Sequence, residues 1–232
     1  MVGNVIFRNV NGKQVVQSRP SNVKHSQSQK ESATEFGRCS TWAKQLRLGL
    51  SDLLVGMTDT KMYQRFTAEV HNAIKQSDLP KGASTPLNVA MHSMEGFEFN
   101  TNSPFAEYCT LQFTTALTNS REVVVTIPAF EAKDGILFPD YCNHVKLITY
   151  VHATNFEVNT ASLKFHSILD IHKEDSIAEQ TLLTTTPIPL NYLVLIAVKL
   201  LYYKTDPITG ATYLNNKNLS PAKLVWVQSI QE

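Results

Sequence analysis

The chain has 232 residues, of which 43% are hydrophobic and 18% charged, so it can bury a substantial core without disulfides or metals. This composition excludes an intrinsically disordered chain. With 21 basic and 20 acidic residues the formal net charge is +1, which indicates neither a uniformly basic nucleic-acid coat nor a polyanionic tail. The sequence is therefore most informative about architecture and interaction surfaces.

The first residues predict a β-hairpin. Two β-rich runs, residues 4–10 and 13–19, flank Asn11-Gly12, the dipeptide that most readily forms a type I′ turn. The two-residue turn also sets the register, with Phe7 opposite Val16.

Apolar side chains occur on both faces of this hairpin. One face carries Ile6, Val10 and Val15, and the other carries Val5, Phe7 and Val16. An isolated two-stranded hairpin is marginally stable in water, so one with two apolar faces needs cover from its own chain, from a neighbouring subunit, or from both. We interpret these six residues as subunit-interaction residues.

The small net charge hides an asymmetry along the chain. Residues 1–47 carry eight basic and two acidic residues, a balance of +6, which leaves −5 for residues 48–232. The two portions can therefore attract each other, within one chain or between chains. A phosphate-binding arm and an ordinary solvated basic face are the competing interpretations. The candidate electrostatic contacts are Arg8, Lys13, Arg19, Lys24 and Lys30.

A linker and then a helix are predicted next. Residues 20–31 are mostly small or polar and lack an apolar period, which is typical of a linker or extended arm. The capping box Ser32-Ala-Thr-Glu35 predicts a helix start, and Gly56 is suited to the left-handed cap at its end. Apolar residues three and four apart then form the stripe Phe36, Cys39, Ala43, Leu46, Leu50, Leu53 and Leu54.

A second helix is predicted after Thr58 or Asp59, either of which can cap its amino terminus. Its apolar stripe is Met62, Phe66, Val70, Ala73 and Ile74, and it ends before Pro80. The two helices together indicate a helical hairpin.

From about Met94 the apolar period changes to 2, which predicts strands for the rest of the chain. Their spacing is typical of an antiparallel sandwich. The run Tyr192–Tyr203 is apolar at both parities, which favours a central strand, and it is too short for a membrane span. The candidate strands are residues 97–99, 108–114, 122–127, 145–152, 156–158, 163–171, 190–203 and 224–230.

The predicted fold is therefore mainly β, α+β overall. An N-terminal β-hairpin and helical pair precede an antiparallel immunoglobulin-like or fibronectin-like β-sandwich. The predicted divisions are 1–31 for the β-hairpin and extended basic arm, 32–80 for the helical hairpin and 81–232 for the sandwich.

Several motifs occur in a characteristic order: Gly3-Asn-Val, Asn11-Gly-Lys-Gln-Val-Val16, Ser18-Arg-Pro20 and then a helix opening. This order resembles the start of a large family of uncharacterised Bacteroidetes proteins known as a domain of unknown function. Gly96–Asn100, Ile127–Phe130 and the long apolar strand near the end are also similar to that family. Lys24-His-Ser-Gln27 departs from the further basic, proline-containing segment expected there. The resemblance implies the architecture and brings no activity or cofactor.

Residues that could carry chemistry do not assemble into a recognised site. Three cysteines are too few and too odd a number for a disulfide framework. His144 and His152 share one face of a predicted strand but lie about 26 Å apart, at about 3.3 Å per residue, which is too far for one metal ion. Surface or hydrogen-bonded histidines are the expected alternative.

Catalytic motifs give the same result. No nucleophile motif such as Gly-x-Ser-x-Gly occurs with Asp170-Ile-His172 or with the neighbouring Glu174 and Asp175. We interpret these residues as a solvated loop. The nine glycines form no phosphate-binding loop. No catalytic residue, metal site, cofactor or small-molecule substrate is predicted.

The sequence therefore predicts a non-enzymatic structural or self-assembling protein, whose hairpin packs on other copies of itself in an oligomer or filament. The alternative is a nucleic-acid-binding module that uses the basic arm, and the competing architecture folds the hairpin back onto its own chain. Arg8 interrupts the first apolar stretch, so no Sec signal peptide is predicted, and cytoplasmic synthesis is expected.

Overall fold

The computed structural model describes residues 5–10, 12–18, 26–55, 57–80, 82–156, 162–208 and 210–231. This part of the chain is mainly β, with antiparallel sheets. Its strands are Val5–Val10 (β1), Lys13–Ser18 (β2), Thr114–Leu117 (β3), Val123–Ile127 (β4), Phe130–Glu131 (β5), His144–Thr154 (β6), Leu163–His172 (β7), Ser176–Ile177 (β8), Gln180–Leu183 (β9), Tyr192–Asp206 (β10), Gly210–Tyr213 (β11) and Ala222–Ile230 (β12). Its α-helices are Gln27–Gly49 (α1), Ser51–Leu54 (α2), Met62–Lys75 (α3), Phe105–Tyr108 (α4) and Ala132–Gly135 (α5), with a 3₁₀ helix at Met91–Met94.

The amino-terminal hairpin forms with the predicted register. β1 and β2 pair antiparallel, with Phe7 opposite Val16 and Val10 opposite Lys13. Gly12 has φ 81°, as the second position of a type I′ turn requires. Asn11 lies outside the described residues.

The first helix begins earlier than predicted. Its N-cap is Ser26, whose hydroxyl accepts from the Gln29 amide at 3.2 Å while the Gln29 side chain accepts from the Ser26 amide at 2.9 Å. The prediction of a linker through residue 31 and a start at Ser32 was therefore wrong at this end. The first two turns of α1 are exposed and need no apolar side chains. An apolar period, on which the prediction depended, is therefore missing from this part of the helix.

The boundary between the helices also differs from the prediction. Val55 itself takes the left-handed conformation, with φ 43°, and Gly56 lies outside the described residues. α3 begins only at Met62, without a side-chain cap. Asp59 does not cap it, because its carboxylate accepts from the Lys61 amide at 2.8 Å and pairs with the Arg65 guanidinium.

A large antiparallel sheet forms the centre of the molecule. β10 pairs with β6 along one edge and with β12 and β11 along the other, and β7 pairs with the far edge of β6. The predicted central strand is thus confirmed, since β10 is buried over most of its length. Because side chains alternate across a strand, this sheet presents two apolar faces.

The helices cover one face of this sheet. Both predicted helical stripes are buried except Phe36, which is 52% exposed. They form one cluster with Tyr150 of β6 and with Leu193, Leu195 and Ala197 of β10. The predicted division between a helical hairpin, 32–80, and a sandwich, 81–232, stays a prediction. This cluster contains residues from both predicted parts.

A smaller sheet covers the other face. β4 lies between β3 and β9, and its Val123 and Val125 share a buried cluster with Val194 and Ile196 of β10. A second cluster under β5, α4 and α5 includes Val145 and Leu147 of β6. The result is a sandwich-like β architecture with a helical layer outside it.

Three predicted strands need correction. Residues 97–99 make only the isolated bridge Glu98–Lys223. Residues 105–108 form α4, and the side chain of Glu98 accepts from the Phe105 amide at 2.8 Å. Cys109 makes only an isolated bridge to Ile136, and a strand begins at Thr114. Phe156 is not in a strand and has φ 64°, whereas residues 157–158 lie outside the described residues.

Candidate self-association surface

The hairpin carries the six apolar residues that the sequence analysis predicts to contact another subunit. Five of the six predicted interaction residues are exposed, and Ile6 is half-buried. The exposed fractions are 37% for Val5, 67% for Phe7, 49% for Val10, 42% for Val15 and 58% for Val16. These six residues are called the hairpin surface below.

Apolar side chains lie on both sides of this ribbon, as the register requires. Phe7 lies directly opposite Val16, on the same face as Val5. Ile6, Val10 and Val15 lie on the other face. Because neither face is buried by the described part of the chain, folding of the ribbon alone leaves both in water.

The basic residues of the arm are only partly brought together. Arg8 and Lys13 are exposed on the same hairpin face, opposite Val15 and Val10 respectively. Lys30 lies apart from them, exposed in the first turn of α1. Arg19 and Lys24 lie outside the described residues, so the structure places three of the five predicted electrostatic contacts.

A groove of about 380 Å³ between α1 and α3 is a second surface feature. Phe36 meets His71 edge-on, with ring centroids 5.6 Å apart. The Arg38 guanidinium lies 5.0 Å from the centroid of the Trp42 ring and donates to the Gly82 carbonyl at 2.6 Å. The groove thus offers aromatic edges beside a cation that is already engaged.

The helix–sheet boundary contains polar contacts that sequence analysis missed. The Tyr150 hydroxyl lies 3.1 Å from the Gly49 carbonyl and 3.2 Å from Asp52 Oδ2, and Lys164 Nζ donates to the same carboxylate oxygen at 2.8 Å. Hydrogen bonds from Lys164 and Tyr150 lower the pKa of Asp52. Burial raises the pKa of Tyr150 above its usual range, so it stays a donor. These contacts tie α1 and α2 to β6 and β7.

Two basic side chains, Lys199 and His152, are buried in the same layer. Lys199, only 3% exposed, donates to the Leu53 carbonyl at 2.9 Å, and burial lowers its pKa to about 8. His152 is 1% exposed, and neither ring nitrogen has a hydrogen-bond partner among the described residues. Burial, reinforced by Lys164, lowers the pKa of His152 to about 4. The position of Lys199 inside the apolar run 192–203 could have indicated its burial, whereas no local pattern indicates the burial of His152.

Glu174 and Asp175 follow β7 outside any strand, as the solvated-loop interpretation expects. Asp170, inside the predicted strand 163–171, and His172, one residue beyond it, belong to β7 and not to that loop. They lie in β7 opposite Lys146 and His144, because pairing with β6 continues to the end of the strand. The Tyr203 hydroxyl donates to Asp170, and His144 stacks on Tyr203 with ring centroids 5.0 Å apart. This arrangement is a cross-strand ladder of aromatic and charged side chains that stabilises the sheet.

The thiols and imidazoles do not converge on a metal site within the described ranges. No group of three or more His, Cys, Asp or Glu residues there is placed to hold an ion. All three cysteines are buried, and burial raises the pKa of Cys109 to about 11. A thiol with that pKa is a poor nucleophile at neutral pH.

No helix in the described part of the chain combines the length and apolar character needed to cross a bilayer.

Comparisons with known proteins identify no relative. No protein-family model, curated protein or solved structure matches the chain.

Proposed function

We propose that this chain is a non-enzymatic, self-associating structural protein whose amino-terminal hairpin packs on a neighbouring copy in an oligomer or filament. One observation carries the proposal: the hairpin surface is exposed on both sides of the ribbon. Fully burying a valine or phenylalanine side chain is worth about 1.5–3 kcal/mol. Packing on a second copy would supply the cover that the described part of the chain does not.

Charge supports contact between copies. The segment that contains the hairpin is +6 and the remainder is −5, so the head of one molecule is attracted to the body of another. Contact between a hairpin and a different surface is heterologous, and repetition of such a contact closes into a ring or continues as a filament.

We also propose that the two β layers are of the immunoglobulin-like or fibronectin-like kind. Their antiparallel pairing and the buried cluster shared by β4, β6 and β10 support this reading. The helical layer on the outer face of the large sheet would be an addition to such a sandwich.

Analytical ultracentrifugation over a range of concentrations tests the association. We expect the full chain to associate and a variant lacking residues 1–25 to be monomeric. The truncation keeps Ser26, the N-cap of α1. Phe7→Ser combined with Val16→Ser should weaken association in the same direction. Ile208→Ser is the matched control, because Ile208 is an apolar residue that is 93% exposed in the turn between β10 and β11.

Two outcomes contradict the proposal. A full chain that stays monomeric at high concentration overturns it, and so does a truncated chain that associates as well as the full chain. Monomeric protein that binds DNA with a salt-dependence slope of about −5, as about six phosphate contacts would give, would replace it with the nucleic-acid alternative.

A further inference from the structure

The outer edge of β7 is open over most of its length. β7 has ten residues and pairs with β6 from Leu163 to His172. From Lys164 to Ile171, its backbone makes no hydrogen bond to any described residue other than those of β6. Unpaired amide and carbonyl groups in such a row form a template for another strand.

Other strand edges in the described part of the chain offer less. The outer edge of β12 is occupied, since the amides of Gly96 and Phe99 donate to the carbonyls of Leu224 and Ala222 at 2.7 and 2.9 Å. β3, β9 and β11 have four residues each, which is shorter than the six-residue β1. Outside the hairpin itself, among the edges that the structure describes, only that of β7 is open over a stretch at least as long as β1.

The edge of β7 also lacks the features that usually block strand addition. Its register with β6 is continuous, without a bulge, and its sequence contains no proline. Its charged residues, Lys164 and Asp170, lie near the two ends, while Ile168 in between is 53% exposed. Natural edges are commonly protected by a central lysine, a proline or a bulge.

The side chains of β7 match a ribbon that is apolar on both sides. Phe165 and Leu169 are half-buried on the side of the smaller sheet, and Ile168 projects on the opposite side. A strand added at an edge gains cross-strand neighbours on both faces, whereas docking against a flat surface covers one face only. Strand addition therefore suits the hairpin surface better than face-on packing does.

We propose that β1 of one copy adds antiparallel to the free edge of β7 of a second copy, with Phe7 opposite Ile168 and Ile6 opposite Leu169. This inference rests on the proposed function. The Lys173 amide donates to the Asn143 carbonyl, so by alternation the even-numbered residues of β7 direct their backbone groups away from β6. The two-residue turn likewise directs the backbone groups of the odd-numbered residues of β1 away from β2. Phe7 and Ile168 can therefore exchange backbone hydrogen bonds, all of β1 pairs within residues 165–170, and Val10 lies opposite Phe165 on the other face.

The added hairpin would also end the sheet. β2 becomes the new edge, and it carries Lys13, Gln14, Gln17 and Ser18. Polar and lysine residues of this kind disfavour further strand addition. Each β7 edge therefore accepts one hairpin, and growth proceeds from molecule to molecule.

A cysteine cross-linking experiment tests this register in the full-length chain. In this register Arg8 lies opposite Ser167 as a non-hydrogen-bonded pair, whose Cα atoms are about 4.5 Å apart, within the range of a disulfide. A mixture of the Arg8→Cys and Ser167→Cys variants should therefore form a disulfide-linked dimer on mild oxidation, since the three native cysteines are buried. Arg8→Cys mixed with His166→Cys, at a residue on the opposite face of β7, should not be linked, and the reverse pattern contradicts the register. Circular dichroism and thermal unfolding monitor the fold of each variant.

A lysine placed in the open edge tests the site independently of the cross-link. Ile168→Lys should abolish association, and Ile208→Lys, at an exposed turn residue, should leave it unchanged. If removal of residues 1–25 abolishes association while Ile168→Lys has no effect and no cross-link to Ser167→Cys forms, the edge is wrong and the proposed function stands. If the truncated chain associates normally, both are wrong.

Discussion

The imidazole ring of His152 occupies the space into which a side chain at Gly49 would project. Gly49 is the last residue of α1 and His152 lies in β6. A Cβ built at Gly49 would overlap the ring atoms of His152. Only glycine allows the helix backbone to approach the sheet this closely.

Gly49→Ala should therefore destabilise the protein. Alanine normally stabilises a helix relative to glycine by about 1 kcal/mol, but overpacking a core costs about 1–3 kcal/mol, and here the clash involves a fully buried ring. We expect a net loss of about 2 kcal/mol in the free energy of unfolding, measured in urea. Gly37→Ala is the control, since Gly37 is in the same helix with nothing within 4 Å of its added Cβ. Stabilisation by both variants would contradict the prediction.

His152 should make the protein sensitive to acid. Burial holds its pKa near 4, below the ordinary value of 6.5, so between these values the unfolded chain binds the proton more readily. Stability is fully present above about pH 6.5 and is lost as the pH falls toward 4. Between pH 7 and pH 5 this amounts to about 2 kcal/mol, from about 1.4 kcal/mol per unit.

Comparison with His152→Leu isolates this contribution. The variant keeps an apolar side chain in the site and cannot titrate there. As the pH is lowered from 7 to 5, the free energy of unfolding of the wild-type protein should fall relative to that of His152→Leu. If the two stability curves remain parallel, His152 is not the group responsible.

The features that could be predicted from sequence depend on local patterns. The Asn11-Gly12 turn fixes the register of β1 and β2 through a few neighbouring residues. The apolar run of β10 likewise has one arrangement that buries both parities, at the centre of a sheet. The helical stripe of α3 is buried as its spacing requires.

The features that could not be predicted depend on distant or exposed residues. The contact between Gly49 and His152 joins positions a hundred residues apart, and nothing in the sequence near either residue indicates it. The exposed first turns of α1 carry no apolar period, so the sequence analysis assigns residues 20–31 to a linker and begins the helix at Ser32. The open edge of β7 depends on the order of strands in the sheet, which periodicity does not give.

Lys199 should make the protein more stable at moderately alkaline pH. Burial lowers its pKa to about 8, below the ordinary 10.5, so the folded state loses the proton first and stability rises with pH between these values. From pH 7.5 to 9.5 the gain is about 2 kcal/mol. Urea unfolding of Lys199→Met, in which the titrating group is absent, should lack this gain. An identical pH dependence in both proteins would contradict the prediction.

The start of α1 can be tested with two serine variants. Ser26→Ala removes the hydroxyl that accepts from the Gln29 amide, and losing an N-cap of this kind costs about 1 kcal/mol of helix stability. Since this turn is exposed, the loss should appear as local fraying, with faster hydrogen exchange at the amides of residues 29–33 and unchanged global unfolding. Ser32→Ala should leave that exchange unaffected, because Ser32 lies inside the helix and not at its cap. Faster exchange in Ser32→Ala together with no change in Ser26→Ala would place the helix start where the sequence alone had suggested.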